Sequence, residues 1–459
     1  MSAQFNIRRA QSRQVSVLQH ELDLPRFVAT TLVGRGIDSP KKARAFLYPS
    51  LKHDWGNPYD LPGLSEVADA LEAAVRAGKR ILVFGDFDLD GISATTVLTR
   101  GLRDVGADAV PFIPKRFEEG YGITAAALER VKTYDPDFLV TVDCGIACKV
   151  EAKLVQQAGI DVAITDHHEP TDLVPEGVPV ADPKIDPECP SCVLAGAGVA
   201  LKLVQLLGGR FGKPYLWRDF IDFATLGTVA DLMPMLGENR PLVIEGLKMM
   251  NKSPRPCIAA LLETSGAQGK PLTSTNLSFS LIPRLNAAGR MGNADLALDL
   301  LMSDDFDEAH RLAVELESLN DQRRAIEAEL SEIAKVQAAE VYRGQRALVV
   351  AGEGWHEGVK GIVASRLVGI YGVPCILITI DGDEARGSGR SVGRVNLFAA
   401  VESASDLLIR FGGHEAAVGV TLKTKDIPAF SRALCDYLDK LPEDAFHPLI
   451  EIDSCVSLD

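Results

Sequence analysis

The sequence predicts an α/β protein: a parallel-sheet domain joined by a long helix to a smaller α/β domain. Three observations carry that reading. From Arg80 onward, apolar runs alternate with amphipathic helical stretches, and the runs are continuous, as strands buried on both faces are. Residues 306–342 then hold a helical pattern without Pro or Gly. Beyond Gln345 a second, shorter strand–helix alternation begins.

Taken in order, residues 1–63 read as an N-terminal extension. In it Pro40–Leu47 forms a helix after Ser39 as cap. Leu64–Gly78 is an amphipathic helix closed by its glycine. Strand Ile81–Gly85 leads to helix Ile92–Val105, strand Ala109–Ile113 to helix Thr124–Thr133, and strand Phe138–Asp143 to helix Lys149–Gln157. Strand Asp161–Thr165 and a short apolar run, Val178–Ala181, complete a doubly wound sheet. Ala195–Leu207 and Leu216–Val229 are strongly apolar helices, and the larger domain ends near residue 305. In the connecting helix, 306–342, Leu312, Leu316, Leu319, Ile326, Leu330 and Ile333 recur at helical spacing, which implies core packing. The second domain, 343–459, reads as strand Ala347–Ala351, helix Gly361–Tyr371, strand Cys375–Ile380, a Gly/Arg-rich stretch at Ala385–Ser391 and helix Leu397–Leu408.

The chain has 459 residues and a net charge of −15, which argues against a general polyanion binder but not against a local basic groove. No stretch has the length and apolar purity of a membrane span, and the first residues lack the apolar core of a signal peptide, so a cytoplasmic protein is expected. The eight cysteines are scattered, and the one C-x-x-C, Cys189–Cys192, has no second pair to complete a zinc ribbon.

The chemistry starts at RILVFGDFDLDG, where a strand runs into Asp86, Asp88 and Asp90. Acids spaced by two point the same way in extended backbone, and such crowding favours a divalent cation. An EF-hand loop is a poor alternative, because its twelfth position would be Val97 in place of a bidentate Glu. A solvated acidic turn is the other. Against it, Asp143 ends the third strand in TVDCG, and Asp166, His167 and His168 end the fourth in ITDHHEP. Ligands bind at the carboxyl ends of parallel strands, so these residues converge on one rim. Asp231, in LGTVADLMP, is either a helix cap or a further inward ligand.

These motifs together resemble the DHH phosphoesterase superfamily. GWHEGVKGIVASRL, GSGRS and FGGHEAAVG resemble its C-terminal DHHA1 substrate domain. PRLNAAGRMG, LGTVADLMP and the long helix are similar to the RecJ-like branch, exonucleases specific for single-stranded DNA. The resemblance implies hydrolysis of single strands from the 5′ end to 5′-mononucleotides, in DNA repair and recombination. It implies Asp88 and Asp143 on one metal and Asp90, Asp143, His167 and Asp231 on a second, with Asp86 a ligand or an outer acid. The mixed oxygen and imidazole set suits Mn2+ better than Mg2+. Two such ions about 4 Å apart can activate a water and hold the leaving oxygen. His168, facing away from its neighbour in an extended segment, is assigned to the scissile phosphate. Arg284, Arg290, Arg366, Ser388, Arg390, Gly412, Gly413 and His414 are assigned to the strand, with ion pairs between domains as the alternative for the arginines. Gly387, Gly389, Gly412 and Gly413 are expected to let backbone amides approach an anion.

Some relatives carry His where this chain has Phe84, so weaker binding of one metal is expected. An oligonucleotide-binding barrel common in such enzymes is expected to be absent, lowering affinity and processivity. A cleft between domains is expected to admit a single strand and exclude a duplex. The partners named by this reading are single-stranded DNA, a single-strand-binding protein and a helicase, with no membrane and a monomeric chain. Two rivals stand beside it: a phosphodiesterase of short oligoribonucleotides or cyclic dinucleotides, and a catalytically silent replication scaffold.

Overall fold

In the computed structural model, residues 4–456 are described. They form two compact units: Arg44–Asn320, and residues 4–43 together with 321–456. The first strand, β1 (Gln4–Ile7), belongs to the second of these. No helix among the described residues is long and apolar enough to cross a membrane.

In Arg44–Asn320, strands β2 (Arg80–Phe84), β3 (Asp108–Phe112), β4 (Phe138–Thr141), β5 (Asp161–Thr165) and β6 (Val180–Ala181) form a wholly parallel sheet in the order β3-β2-β4-β5-β6. Side chains alternate across it. Ile81 and Val83 enter the core shared with helices Leu89–Asp104, Gly196–Arg210 and Ile221–Ala230. Leu82 and Phe84 enter a second core with Leu128, Val131 and Val155 on the other face. Phe84 is wholly buried there and stacks on Phe112, with ring centroids 5.1 Å apart. The chain leaves β2 for β3 on one side and for β4 and β5 on the other. The point where strand order reverses therefore lies between β2 and β4, where open parallel sheets leave a crevice. The apolar run 216–229 is not one helix: a 3-10 turn, Leu216–Phe220, precedes the helix Ile221–Ala230.

A buried polar network ties the segment around Trp55 to this helical layer. Lys202, fully buried, donates to Glu238 Oε1 at 2.8 Å and to the Gly56 carbonyl at 2.9 Å. Glu238 also accepts from Gly56 N and, at 2.9 Å, from Ser191 Oγ. Trp55 stacks on Trp217, centroids 5.5 Å apart and planes 7° off parallel, with the ammonium 4.3 Å from its ring.

The long helix is continuous, Phe306–Val341. Its residues Leu312 and Leu316 pack in the first unit, while Leu330, Ala334 and Ala338 pack in the second against Val359 and Val363. The second unit holds β7 (Leu348–Glu353), β8 (Cys375–Asp381), β9 (Glu384–Arg390), β10 (Leu408–His414) and β11 (Ala417–Lys423), in the order β10-β11-β9-β8-β7. Within this sheet only β7 and β8 run parallel. The Gly/Arg-rich stretch is thus an interior strand, and its amides are committed to the ladder. Gly387 and Gly389 are small for packing instead: a β-carbon at either would stand 2.7 Å from a methyl of Val420 or Val418. This corrects the expectation that their amides receive an anion. The helix expected over 397–408 stops at Glu402, because residues 408–414 pair as β10. Finally, β12 (Leu449–Ile452) pairs parallel with β1.

Candidate metal centre

The Asp86–Asp90 acids do not lie on an extended segment. Asp88 caps the helix Leu89–Asp104, its Oδ1 accepting from Asp90 N at 2.9 Å and Gly91 N at 3.1 Å. The capping competes with extension and starts the helix three residues before the predicted Ile92. Asn286, from PRLNAAGR, supports the turn from behind by accepting from Leu89 N at 3.1 Å. Asp90, inside the first helical turn, reaches the N-terminus of the helix Gly196–Arg210. Its oxygens accept from Gly196 N at 2.7 Å and Ala197 N at 3.0 Å, where the helix dipole favours an anion. The approach needs glycines: a β-carbon on Gly227 would lie 2.2 Å from Asp90 Oδ1, and one on Gly196 would lie 2.5 Å from Asp143 Cβ.

Asp143 follows β4 at the centre of the sheet with φ +60°. Left-handed backbone costs a residue with a β-carbon about 1–2 kcal/mol, and such strain clusters at functional sites. Past β5, Asp166 gathers the chain: Oδ1 accepts from His167 N at 2.7 Å and lies 2.7 Å from His168 Nδ1, while Oδ2 accepts from Ile146 N at 2.9 Å. That curl overturns the expected facing of His168. Its ring does not point away from His167; their centroids are 4.5 Å apart.

The predicted acids and imidazoles therefore meet. His167 Nε2 stands 3.0 Å from Asp143 Oδ1, 3.6 Å from Asp231 Oδ2 and 3.7 Å from Asp90 Oδ2. Two groups could each hold a cation: Asp86, Asp88 and Asp143, and Asp90, His167 and Asp231. Asp143 sits between them, and also forms a group with His167 and His168. The donor set fits a divalent metal. Asp86 Oδ1 and Asp143 Oδ1 are buried yet accept no hydrogen bond among the described residues, a costly state unless a cation takes them up. Phe84 contributes no donor to either group.

Without a cation, burial and mutual repulsion favour the protonated form of Asp86, Asp90, Asp143 and Asp231. Burial, then the neighbouring acids, pushes Asp143 well up; burial and Asp88 do the same for Asp86. Burial, Asp231 and Asp88 raise Asp90 to about 8, and burial with Asp88 raises Asp231 to about 6. Burial and the charge of His168 lower His167 to about 3, leaving the neutral imidazole that a metal requires. For His168 burial works against protonation, but the hydrogen bond and charge of Asp166 outweigh it and raise it to about 9. His168 is half-exposed at the rim, and this shift favours its cationic form.

The other assigned residues are not all at this rim. Arg284 is largely buried in an ion pair with Glu317 and donates to the Ser280 carbonyl at 2.7 Å. Arg290 ends the helix Ile282–Arg290. In the second unit, Arg366 pairs with Glu327 of the long helix. Ser388 and Arg390 lie on β9, and Gly412, Gly413 and His414 on β10. The register aligns Arg390, Ala417 and His414 in one row and Ser388, Gly419 and Gly412 in another. Two residues went unrecognised in the sequence. Tyr121 stands edge-on to His168 at 6.5 Å and to Phe87 at 6.2 Å, and the Arg116 guanidinium lies 4.7 Å from the Phe87 ring. Both follow the carboxyl end of β3, so the rule that found Asp143 could have found them.

The family model for the DHH family, N-terminal domain, matches residues 80–228, and that for the DHHA1 domain matches residues 344–440. The single-stranded-DNA-specific exonuclease RecJ of Bacillus subtilis is 38% identical over 454 residues, covering 98% of this chain and 57% of the relative. The protein of that name from Salmonella typhimurium is 34% identical over 454 residues, covering 94% of this chain and 78% of its own length. The crystal structure of RecJ from Thermus thermophilus in complex with Mn2+ superposes with a TM-score of 0.84 at 33% identity, covering 98% of this chain and 64% of that one. The chain thus spans little more than half the length of the Bacillus relative. With family models, sequence relatives and fold in agreement, the chain belongs to the RecJ family of DHH/DHHA1 proteins.

Proposed function

We propose that this chain is a divalent-cation-dependent exonuclease that hydrolyses single-stranded DNA from its 5′ end to 5′-mononucleotides, with catalytic domain 64–305 and DHHA1 domain 343–459. The observation that carries it is the pair of adjoining ligand groups at the switch point of the parallel sheet, linked where Asp143 Oδ1 of one stands 3.0 Å from His167 Nε2 of the other, beside a histidine hydrogen-bonded to Asp166. Mn2+ suits the mixed carboxylate and imidazole donors; Mg2+ fits less well.

Asp86, Asp88 and Asp143 would hold one ion, and Asp90, His167 and Asp231 the other, with Asp143, 3.0 Å from His167 Nε2, placed to reach both. When bound, such ions supply Lewis acidity toward the phosphate and the attacking water. His168, fixed by Asp166, donates from its free nitrogen to a non-bridging phosphate oxygen. Its charge offsets part of the acids' repulsion toward a polyanion. Arg116 and Tyr121, at the same rim, contact the incoming strand. Acids and both histidines are intact, which disfavours a silent scaffold.

The direct test is digestion of 5′- and 3′-labelled single strands with Mn2+, Mg2+ or chelator. Release of labelled mononucleotide from the 5′-labelled strand first, abolished by chelator, is the expected result. Attack confined to dinucleotides or cyclic dinucleotides would replace this reading with the phosphodiesterase one.

Protons make a second prediction. Asp90 and Asp231 titrate near 8 and 6 in the metal-free fold, well above an unfolded aspartate. A raised acid stabilises the fold below its native titration and loses that contribution as pH rises through it. The metal-free protein should therefore weaken from pH 5 to 8, and a cation, which replaces those protons, should restore more at the higher pH. The gain in Tm on adding Mn2+ is expected to grow between pH 6 and pH 8, with protons released to the buffer in calorimetry. A gain independent of pH would contradict the raised carboxyls.

A further inference from the structure

The helix Ile221–Ala230 ends in a Schellman motif: Leu232 N donates to Val229 O and Met233 N to Thr228 O, both at 3.3 Å. The left-handed position of that motif is occupied by Leu232, with φ +55°. Glycine fills it without strain, whereas a β-carbon there crowds the carbonyl. Among the described residues the remaining non-glycine residues of positive φ, Asp23, Asp135 and Asp143, are all aspartates, which tolerate it better. Burial does not offset the cost, since Leu232 is 84% exposed. Other exposed apolar side chains, such as Val150 and Ile370, sit in helices at no backbone cost. Leu232 alone among the described residues combines strain with an exposed large apolar group, and it adjoins Asp231, whose Oδ2 is 3.6 Å from His167 Nε2.

We propose that Leu232 is a binding residue, an apolar platform for the base adjoining the phosphate held at the metal centre. The inference rests on the function proposed above. A strand that lays a phosphate among Asp143, His167 and His168 must bring a sugar and base alongside. The cation ligands and His168 are committed to the phosphate's side of the site and offer the base nothing. A base has an apolar face, and contact with it is tolerant of sequence. Leucine has no polar atom with which to read an edge, so it adds affinity without base preference. The two-bond cap of the Schellman motif holds its direction, which prepays the ordering of that contact.

The test uses the full chain with Mn2+ and two single strands, one natural and one carrying abasic residues at its first two 5′ positions. Leu232→Gly is expected to keep or raise Tm, by about 2 °C if the strain is released. On the natural strand it is expected to raise KM roughly fivefold, the worth of a half-buried leucine, with kcat retained. Leu232→Met should restore KM. On the abasic strand, wild type and Leu232→Gly should converge. An unchanged KM on natural DNA, or an equal penalty on the abasic strand, overturns the contact while leaving the proposed function standing. A wild-type chain that digests neither strand overturns both.

Discussion

Asp143→Asn is expected to abolish nuclease activity, by roughly 10³-fold or more, about 4 kcal/mol of transition-state stabilisation, without unfolding the protein. The substitution keeps the side chain's size and its left-handed backbone, so packing against Gly196 is preserved. What changes is charge at the carboxylate that belongs to one ligand group and stands 3.0 Å from His167 of the other. In the metal-free fold that carboxylate is a liability: it is buried among Asp86, Asp88, Asp90 and Asp166, and its titration is driven upward. Removing it should leave Tm without cation equal or higher, while the gain in Tm on adding Mn2+ largely disappears. The pairing of these two results separates a metal role from a structural one. A residue that merely held the rim together would lower both stability and activity. Activity within tenfold of wild type, measured at saturating Mn2+, would remove Asp143 from the centre of the mechanism.

How much of this was legible in the sequence depends on the range of the interaction. Continuous apolar runs marked the sheet, and the rule that ligands gather at the carboxyl ends of parallel strands found Asp86, Asp88, Asp90, Asp143, His167 and His168 without coordinates. Local competition was harder to see. Asp88 could continue a turn or cap a helix, and the cap prevailed because it satisfies two otherwise orphaned amides. His168 was placed on the wrong side because the extended-chain argument took no account of Asp166, which pulls both following amides toward itself. Long-range partners were invisible. Glycine is depleted in strands, so GSGR reads as a loop until Val418, Val420 and Ile376 are seen to need its space. Arg284 and Arg366 look like free cations until Glu317 and Glu327 arrive. The pairing of β1 with β12 joins residues at opposite ends of the described chain, beyond any local pattern.

The largest stability loss is expected away from the metal centre, at Glu238→Ala. The Lys202 side chain has no contact with solvent, and its titration is lowered by burial even with Glu238 alongside. A buried ion pair contributes little net stability when whole, since desolvating both charges offsets their attraction. Removing one partner strands the other, at about 3–5 kcal/mol. Glu238→Ala also leaves Gly56 N and Ser191 Oγ without their acceptor. Lys202 could escape by releasing its proton, but the neutral amine would still need the Gly56 carbonyl and would lose its attraction to the Trp55 ring. Urea unfolding followed by tryptophan fluorescence reads this directly, because Trp55 and Trp217 stack over the network. The apolar double replacement Lys202→Met with Glu238→Leu should recover most of the loss, since neither charge then remains to be solvated. If the single variant lost less than about 1 kcal/mol, water would have to reach Lys202 in the folded state, and the tie between the Trp55 segment and the helical layer would be apolar stacking alone.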